Sequence, residues 1–294
     1  MLILPDFRKK EILKLLDDSP DVSISRPVSQ LTWGVPVPDD SEQVMYVWID
    51  ALANYITVLG YPEKEISDFW PASAQFVGKD ILRFHAIIWP AMLIGLSLPL
   101  PKTLVSHGMV LADGQKMSKS IGNVVDPVEL ISRRGISAFR YFFLRHIDTF
   151  ADSDYTNEKF ENAYNNELAN DLGNLVQRLA TLAKKNEIKI GEIKDFSLPK
   201  EYTDLMDKFE FAKAFDYAWE KIQNINRRID EEKPWALAKN GEREKLEECL
   251  GSLIKELLSA NYLISPFLPI ASEKIRKIFT DPIAPPETPL FPKG

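Results

Sequence analysis

The densest run of chemistry-bearing residues in the chain is Asp113-Gly114-Gln115-Lys116-Met117-Ser118-Lys119-Ser120-Ile121-Gly122-Asn123. An Asp-Gly pair favours a tight turn, and two lysines with two serines between glycines make a cationic, hydroxyl-bearing loop. Lysine is a compact point charge that suits phosphate oxygens. Such a loop can wrap a polyphosphate. Lys116 and Lys119 would then position and neutralise charge in a reaction that expels pyrophosphate. A solvated surface loop has the same composition, so the residue types alone leave both readings open.

Gly78-Lys79-Asp80 stands where a predicted strand hands over to a predicted helix, the place where parallel sheets bind nucleotides. An acid there suits ribose hydroxyls, and it equally suits the capping of a helix start. From Ile81 onward, i+3 and i+4 spacing puts Ile81, Phe84, His85, Ile88 and Trp89 on neighbouring helix faces. Aromatic residues on an apolar helix are ordinarily core. His107-Gly108-Met109-Val110 leads into the lysine loop, its glycine allowing close backbone approach. Farther on, Asn174 and Arg178 lie near an apolar helical stripe but off it, as a solvated polar face would. Trp235 follows Pro234 and, on residue type alone, reads as core after a proline break.

These groups need elements to hold them. Before residue 150, β-branched and aromatic runs alternate with helix-like runs. Val44–Trp48, Gln75–Val77 and Thr103–Val105 are candidate strands, and Ala51–Leu59, Ile81–Leu93 and Pro127–Ser132 are candidate helices. That alternation predicts a mainly parallel α/β sheet. Asp126, Pro127 and Glu129 carry the cap, first-position proline and capping-box acid of a helix start. After residue 150 the period lengthens. Phe160, Tyr164, Leu168, Leu172, Leu175, Leu179 and Leu182 form one stripe. A second comprises Leu205, Phe209, Ala212, Phe215, Trp219, Ile222, Ile225 and Ile229, and a third Leu246, Cys249, Leu250, Leu253, Leu257 and Asn261. Three such helices predict a bundle, with Pro234 ending the second. The tail from Asp281, rich in proline, is expected to be an extended strap or disordered.

Composition narrows the function classes. A chain of 294 residues predicts about two domains at roughly 150 residues each. With 45% hydrophobic and 27% charged residues, a disordered chain or a coiled-coil rod is excluded as the main reading. The balance of 36 basic and 43 acidic residues gives −7 and a pI near 5.2, which removes the global field of a chromatin-type binder. Any nucleic-acid contact must therefore be a local basic or aromatic site. Cys249 is the single cysteine, so neither an internal disulfide nor a Cys-x-x-Cys zinc site is possible, and a reducing cytoplasm fits. No targeting signal is legible in MLILPDFRKK. The apolar stretch Ala86–Leu100 is interrupted by Pro90, Gly95, Ser97 and Pro99, which predicts buried core rather than a membrane span.

The string Lys116-Met117-Ser118-Lys119-Ser120 resembles the loop of the class I aminoacyl-tRNA synthetases, and further strings narrow the resemblance to the methionyl-tRNA synthetase family. They are Trp48-Ile49-Asp50-Ala51-Leu52-Ala53-Asn54-Tyr55, Gly78-Lys79-Asp80-Ile81-Leu82-Arg83-Phe84-His85, Trp89-Pro90-Ala91-Met92, His107-Gly108-Met109 and Pro234-Trp235-Ala236-Leu237-Ala238-Lys239, in that family's order. Where some members have proline after Asp50-Ala51, this chain has Leu52. The resemblance implies a methionine pocket of Trp48, Ala51, Tyr55, Ile81, Phe84, His85 and Trp89. It implies ATP contacts by Gly78, Asp80, His107, Gly108, Met109, Val110, Ser118 and Lys119, with Lys116 and Lys119 as catalytic lysines and Mg2+ entering with ATP. It further implies that Asn174, Arg178, Pro234 and Trp235 read the anticodon of methionine tRNA.

The same resemblance implies an α/β part followed by an all-α part. Residues 1–120 would be the second half of a Rossmann-type catalytic domain, 121–150 a connecting segment that contacts the tRNA stem, and 151–294 an α-helical anticodon-binding domain. A second class I signature, His-x-Gly-His, cannot exist here, because His85, His107 and His146 are the only histidines. The resemblance begins near Arg8, around Ser23-Ile24-Ser25-Arg26, past the family's first half-sheet and its inserted domain that often carries zinc. No zinc site is expected on this chain, and the family counterpart of Arg26 pairs with an acid in that first half. The expectation is the C-terminal part of a methionine–tRNA ligase, incomplete without a first half that a separate chain could supply. The alternative is a non-catalytic tRNA-binding module or pseudoenzyme of the same descent.

Overall fold

The computed structural model describes residues 1–17, 21–191 and 196–293. Two compact units divide the chain, Met1–Met109 and Val110–Gly294. The first holds β1 (Leu2–Leu4), α1 (Asp6–Asp17), β2 (Ser25–Pro27), β3 (Pro36–Val37), β4 (Asp40–Met45) and α2 (Val47–Thr57). It continues with β5 (Ala74–Gly78), a π segment over Phe84–Ile88, α3 (Trp89–Gly95) and β6 (Thr103–His107). Strands β1, β6 and β5 form a parallel sheet in that order, with Gln75 beside Leu104 and Gly78 beside His107. Strands β2, β4 and β3 form a separate antiparallel sheet.

Two expectations in this unit are corrected. The strand expected over Val44–Trp48 ends at Met45, and Trp48 lies in α2, because Tyr46 already accepts the first helical bond from the Ile49 amide. The helix expected over Ile81–Leu93 is interrupted. Pro90 has no N–H for the Ala86 carbonyl four residues back, and the Trp89 amide bonds Phe84, five residues back, instead. The apolar run Ala86–Leu100 supplies core, with Trp89 and Leu93 fully buried. Among the described residues no helix is long and apolar enough to cross a membrane.

The second unit opens on β7 (Val110–Ala112) and β8 (Gln115–Lys116), followed by α4 (Pro127–Arg145), β9 (Ser153–Tyr155) and α5 (Asn157–Asn162). A π segment over Ala163–Asn174 leads into α6 (Leu175–Lys185). Then come α7 (Lys200–Asp207), α8 (Phe211–Glu232), α9 (Pro234–Asn240), α10 (Arg243–Ile264) and α11 (Pro269–Ile278). β7 pairs with both β8 and β9, so this unit begins well before the change of texture near residue 150. The Asp126 carboxylate caps α4 by accepting the Val128 amide at 2.8 Å. The helix runs past the expected Ser132 to Arg145, kinked where Gly135 takes φ 82°.

The first stripe is not one regular helix. In an α-helix each four-residue step turns about 40° past a full revolution, so Phe160, Tyr164, Leu168 and Leu172 would wind off one face. Phe160 lies in α5, and the wider π segment that follows keeps Tyr164, Leu168 and Leu172 buried with it. The second stripe is two helices. Phe209 adopts a left-handed φ of 58°, its amide bonds the Met206 carbonyl, and the Glu210 amide bonds Leu205, which closes α7 in a Schellman motif. Glycine usually marks that position, so a phenylalanine hid the break. The third stripe is α10, with all its named residues buried. The helices thus outnumber the three expected, and α11 buries Ile275 and Ile278 in the same core. The tail is a strap. Ile283 and Phe291 are buried, Phe291 meets Tyr164 edge-on, and the Tyr164 hydroxyl donates to the Pro292 carbonyl at 2.7 Å.

Candidate functional site

In the first unit the aromatic residues singled out by spacing converge. Trp48 stacks on Phe84 with centroids 4.1 Å apart and planes 11° off parallel, and it meets His85 edge-on. Tyr55 touches both His85 and Trp89. The helix α2 brings Trp48, Ala51 and Tyr55 to one side by i+3 and i+4 spacing, and the broken helix after β5 brings Ile81, Phe84, His85 and Trp89. Tyr46 and Trp70 join the cluster, against Phe84 and Trp89 respectively, though neither was expected. Their only sequence signal was aromatic type. Leu52 is buried beneath, while Ala51 and Tyr55 face outward onto a depression of about 470 Å³ lined also by Asp50 and Asn54.

The histidine at the centre has one consistent protonation state. His85 is 2% exposed, its Nδ1 lies 3.1 Å from the Ile81 carbonyl, and its Nε2 lies 2.9 Å from the Tyr55 hydroxyl. A carbonyl only accepts, so Nδ1 carries the proton and Nε2 of the neutral ring accepts from Tyr55. Burial drives the His85 pKa below its ordinary value, against a smaller opposing effect of the Ile81 bond. The neutral ring therefore has an amphipathic hydroxyl fixed beside it, whose oxygen retains acceptor capacity toward a ligand.

At the carboxyl end of the parallel sheet, Gly78 and His107 are register partners. A Cβ on Gly78 would come within 2.7 Å of the Asp80 carboxylate, so glycine is what lets that acid lie back against the strand end. Asp80 is exposed, and the His107 ring bonds the Gly108 carbonyl through Nδ1 at 2.8 Å. Arg26 donates to the Ser23 and Ser25 carbonyls and lies 4.4 Å over the Tyr46 ring.

The lysine loop belongs to the second unit. Asp113 and Gly114 both take positive φ, 51° and 75°, in the two-residue turn joining β7 to β8, as their types predict. The Gly114 amide is held by Asp154 of β9 at 2.7 Å. Asn123 braces the loop across its mouth, accepting the Ser118 amide and donating to the Lys116 carbonyl. Ser118 and Ser120 share a hydrogen bond between their hydroxyls. Lys116 and Lys119 are exposed, and among the described residues neither has an ion-pair partner. Asn123 and Asp154 were not expected as supports.

Of the helical residues of interest, Arg178 and Trp235 meet. The Arg178 guanidinium lies 5.6 Å over the Trp235 ring and pairs with Asp230 of α8 at 2.9 Å. Trp235 is 42% exposed, which settles it as a surface ring rather than core, while the buried Pro234 begins the short helix that presents it. Asn174 is exposed one turn before Arg178 and donates to Asn170 at 3.3 Å. Asp230 was missed, although it stands one turn after Asn226 among the buried Ile222, Ile225 and Ile229, a polar pair beside an apolar stripe. Among the described residues no cluster of three or more His, Cys, Asp and Glu could hold a metal ion.

The family description "tRNA synthetases class I (M)" matches residues 5–180 of this chain. The chain belongs to the methionyl-tRNA synthetase family. A methionine–tRNA ligase of Caldanaerobacter subterraneus subsp. tengcongensis is 43% identical over 293 residues, covering 93% of this chain and 45% of the ligase. The Thermotoga maritima ligase is 38% identical over 287 residues, covering 92% and 45%. Among solved structures, the Mycobacterium tuberculosis methionyl-tRNA synthetase in complex with methionyl-adenylate is similar at a TM-score of 0.88 and 32% identity, over 99% of this chain and 64% of that one. Its apo form matches at 0.85 and 30% identity. The fold is thus a class I synthetase fold with mixed α/β and helical content, and the chain spans about half the length of the curated relatives it matches.

Proposed function

We propose that this chain supplies the methionine pocket, the pyrophosphate loop and the anticodon-reading surface of a cytoplasmic methionine–tRNA ligase. On this reading residues 1–120 are the second half of a Rossmann-type nucleotide domain carrying the Lys-Met-Ser-Lys-Ser loop, 121–150 connect, and 151–294 form the anticodon-binding bundle. Methionine's carboxylate attacks the α-phosphorus of ATP, entering with Mg2+, and pyrophosphate leaves. The terminal ribose hydroxyl of methionine tRNA then attacks the carbonyl of methionyl adenylate and expels AMP.

Each residue has a physical task in that scheme. Trp48, Ala51, Tyr55, Ile81, Phe84, His85 and Trp89 hold the side chain, the rings offering a polarizable surface to the thioether at about 0.3–1.5 kcal/mol per contact. Gly78 and Asp80 receive ribose, and His107, Gly108, Met109 and Val110 line the adenine. Ser118, Lys116 and Lys119 take the phosphates, the two lysines stabilising the charge that builds on pyrophosphate as it leaves. Asn174, Arg178, Pro234 and Trp235 receive the unstacked anticodon bases.

The observation that carries the reading is the half-exposed Trp235 ring roofed by Arg178, a stacking platform with a polar edge on a protein of net charge −7. Fluorescence titration of the full chain at fixed salt, with the anticodon loop of methionine tRNA and with a base-changed loop, tests it. Trp235→Ala should cost about 1–3 kcal/mol on the matched loop and narrow the gap between loops. Equal binding of both loops by both proteins would overturn it.

A second reading is binding without catalysis, by a module of the same descent. The two readings separate in methionine-dependent ATP–pyrophosphate exchange. We expect no exchange from this chain alone, and restoration by a first-half chain added in trans, with most of that gain lost in Lys119→Ala. Absence of any rescue favours the binding module.

A further inference from the structure

The helix bearing Asn174 and Arg178 changes winding between them. The π segment Ala163–Asn174 returns to α-helix at Leu175, and at that seam the Leu175 amide bonds the Leu172 carbonyl, three residues back. An unbroken α-helix would give that amide to the Asp171 carbonyl. The Asp171 carbonyl instead receives the side-chain amide of Asn226, from α8, at 2.9 Å. The same amide reaches the Ile222 carbonyl of its own helix at 3.4 Å, which fixes its orientation. Gly173 belongs to the seam as well, since a Cβ there would sit 3.2 Å from the Leu168 carbonyl and 3.6 Å from the Phe291 ring.

One turn along α8 from Asn226 is Asp230, which holds Arg178. A single face of α8 therefore grips the seam backbone and the guanidinium together. A helix changing from π to α at a seam can set the side chains on its two sides at more than one relative azimuth, and an outside donor on a carbonyl at the seam selects one. We infer that Asn226 is a positioning residue for base reading, fixing the seam so that Asn174 and Arg178 present their polar edges beside Trp235. This rests on the anticodon reading proposed above and goes beyond it. Asn226 itself needs no contact with RNA.

The test uses the full chain, Asn226→Ala, Asn226→Asp and Trp235→Ala. Asn226→Asp keeps the shape of the side chain but offers no N–H to the carbonyl. Fluorescence titration against matched and base-changed anticodon loops at fixed salt, with hydrogen exchange at the Leu175 and Val176 amides in the free protein, gives the two readouts. Both Asn226 variants should lose about tenfold affinity for the matched loop and little for the changed one, with a melting temperature near wild type and faster exchange confined to the seam. If Trp235→Ala narrows the gap between loops but neither Asn226 variant does, Asn226 is merely structural and the inference fails while the anticodon reading stands. If the wild type itself does not discriminate, both fail. If both Asn226 variants weaken the two loops equally, the residue supports the fold in general and the inference is overturned.

Discussion

The two candidate recognition surfaces use the same kind of side chain in opposite ways. In the first unit Trp89 is fully buried between Trp70 and Tyr55, and a neutral histidine with a tyrosine hydroxyl supplies the polar element. In the second unit Trp235 stands half exposed under a permanently charged guanidinium. A small amphipathic ligand is recognised by surrounding it, so its rings must belong to a core. An unstacked base already presents a face and an edge, so its ring must stay open to solvent. The difference teaches that aromatic type says little about role until burial is known.

The largest effect that would break this contrast is on stability. Trp89→Ala should destabilise the first unit by about 3–5 kcal/mol, as large-to-small changes in a packed core do. Trp235→Ala should stay within about 0.5 kcal/mol of wild type, as surface substitutions generally do. Urea denaturation followed by circular dichroism measures both, and comparable losses would erase the distinction between buried pocket and open platform.

Proton linkage sharpens the contrast next. Burial lowers the His85 pKa in the folded state, so on acidification the unfolded chain binds this proton first. The stability it contributes is complete above its ordinary value near 6.5 and is lost as pH falls through the folded value. In the second unit the Glu167 pKa is also lowered, but by its neighbours and against burial. Burial would raise its pKa, but hydrogen bonds from His146 and Tyr141 and the charges of His146 and Arg145 hold it below the ordinary carboxylate value. Its contribution is present above about 4.5 and fades only below that. Residue-resolved hydrogen exchange between pH 7 and 5 should therefore show protection falling first around Ile81–Trp89, and His85→Gln should flatten that fall. Simultaneous loss in both units would contradict it.

The contrast also marks how far the sequence could be read. Periodicity located the apolar stripes of α8 and α10, because each buried face repeats every three or four residues over long runs. It failed where geometry changes without a change in hydrophobicity. The π segment is invisible because its four-residue spacing looks like an ordinary helical stripe, and the α7–α8 break is invisible because Phe209 takes a conformation that sequence associates with glycine. Within the candidate sites, aromatic and cationic types found Trp48, His85, Lys119 and Trp235. The residues that hold them, Asn123, Asp154, Asn226 and Asp230, are common polar types whose partners are distant in sequence, so nothing local announced them.

The smallest expected effect concerns the bond between the Tyr55 hydroxyl and Nε2 of His85. Tyr55 is 37% exposed, so Tyr55→Phe removes a hydroxyl at the rim without opening a core cavity. It leaves Nε2 of His85 without the donor at 2.9 Å, and losing one neutral hydrogen bond of this kind costs about 0.5–1.5 kcal/mol. The sign of the accompanying pKa change is fixed by chemistry. The Tyr55 hydroxyl donates to the unprotonated nitrogen and so favours the neutral ring, and its removal should raise the His85 pKa toward the ordinary value. Desolvation remains as the larger cause, so the rise should be partial. NMR titration of the His85 ring in both proteins measures it. A lowered pKa in Tyr55→Phe would mean that Nε2 is the donor in the wild type, and the tautomer deduced from the Ile81 carbonyl would have to be reversed.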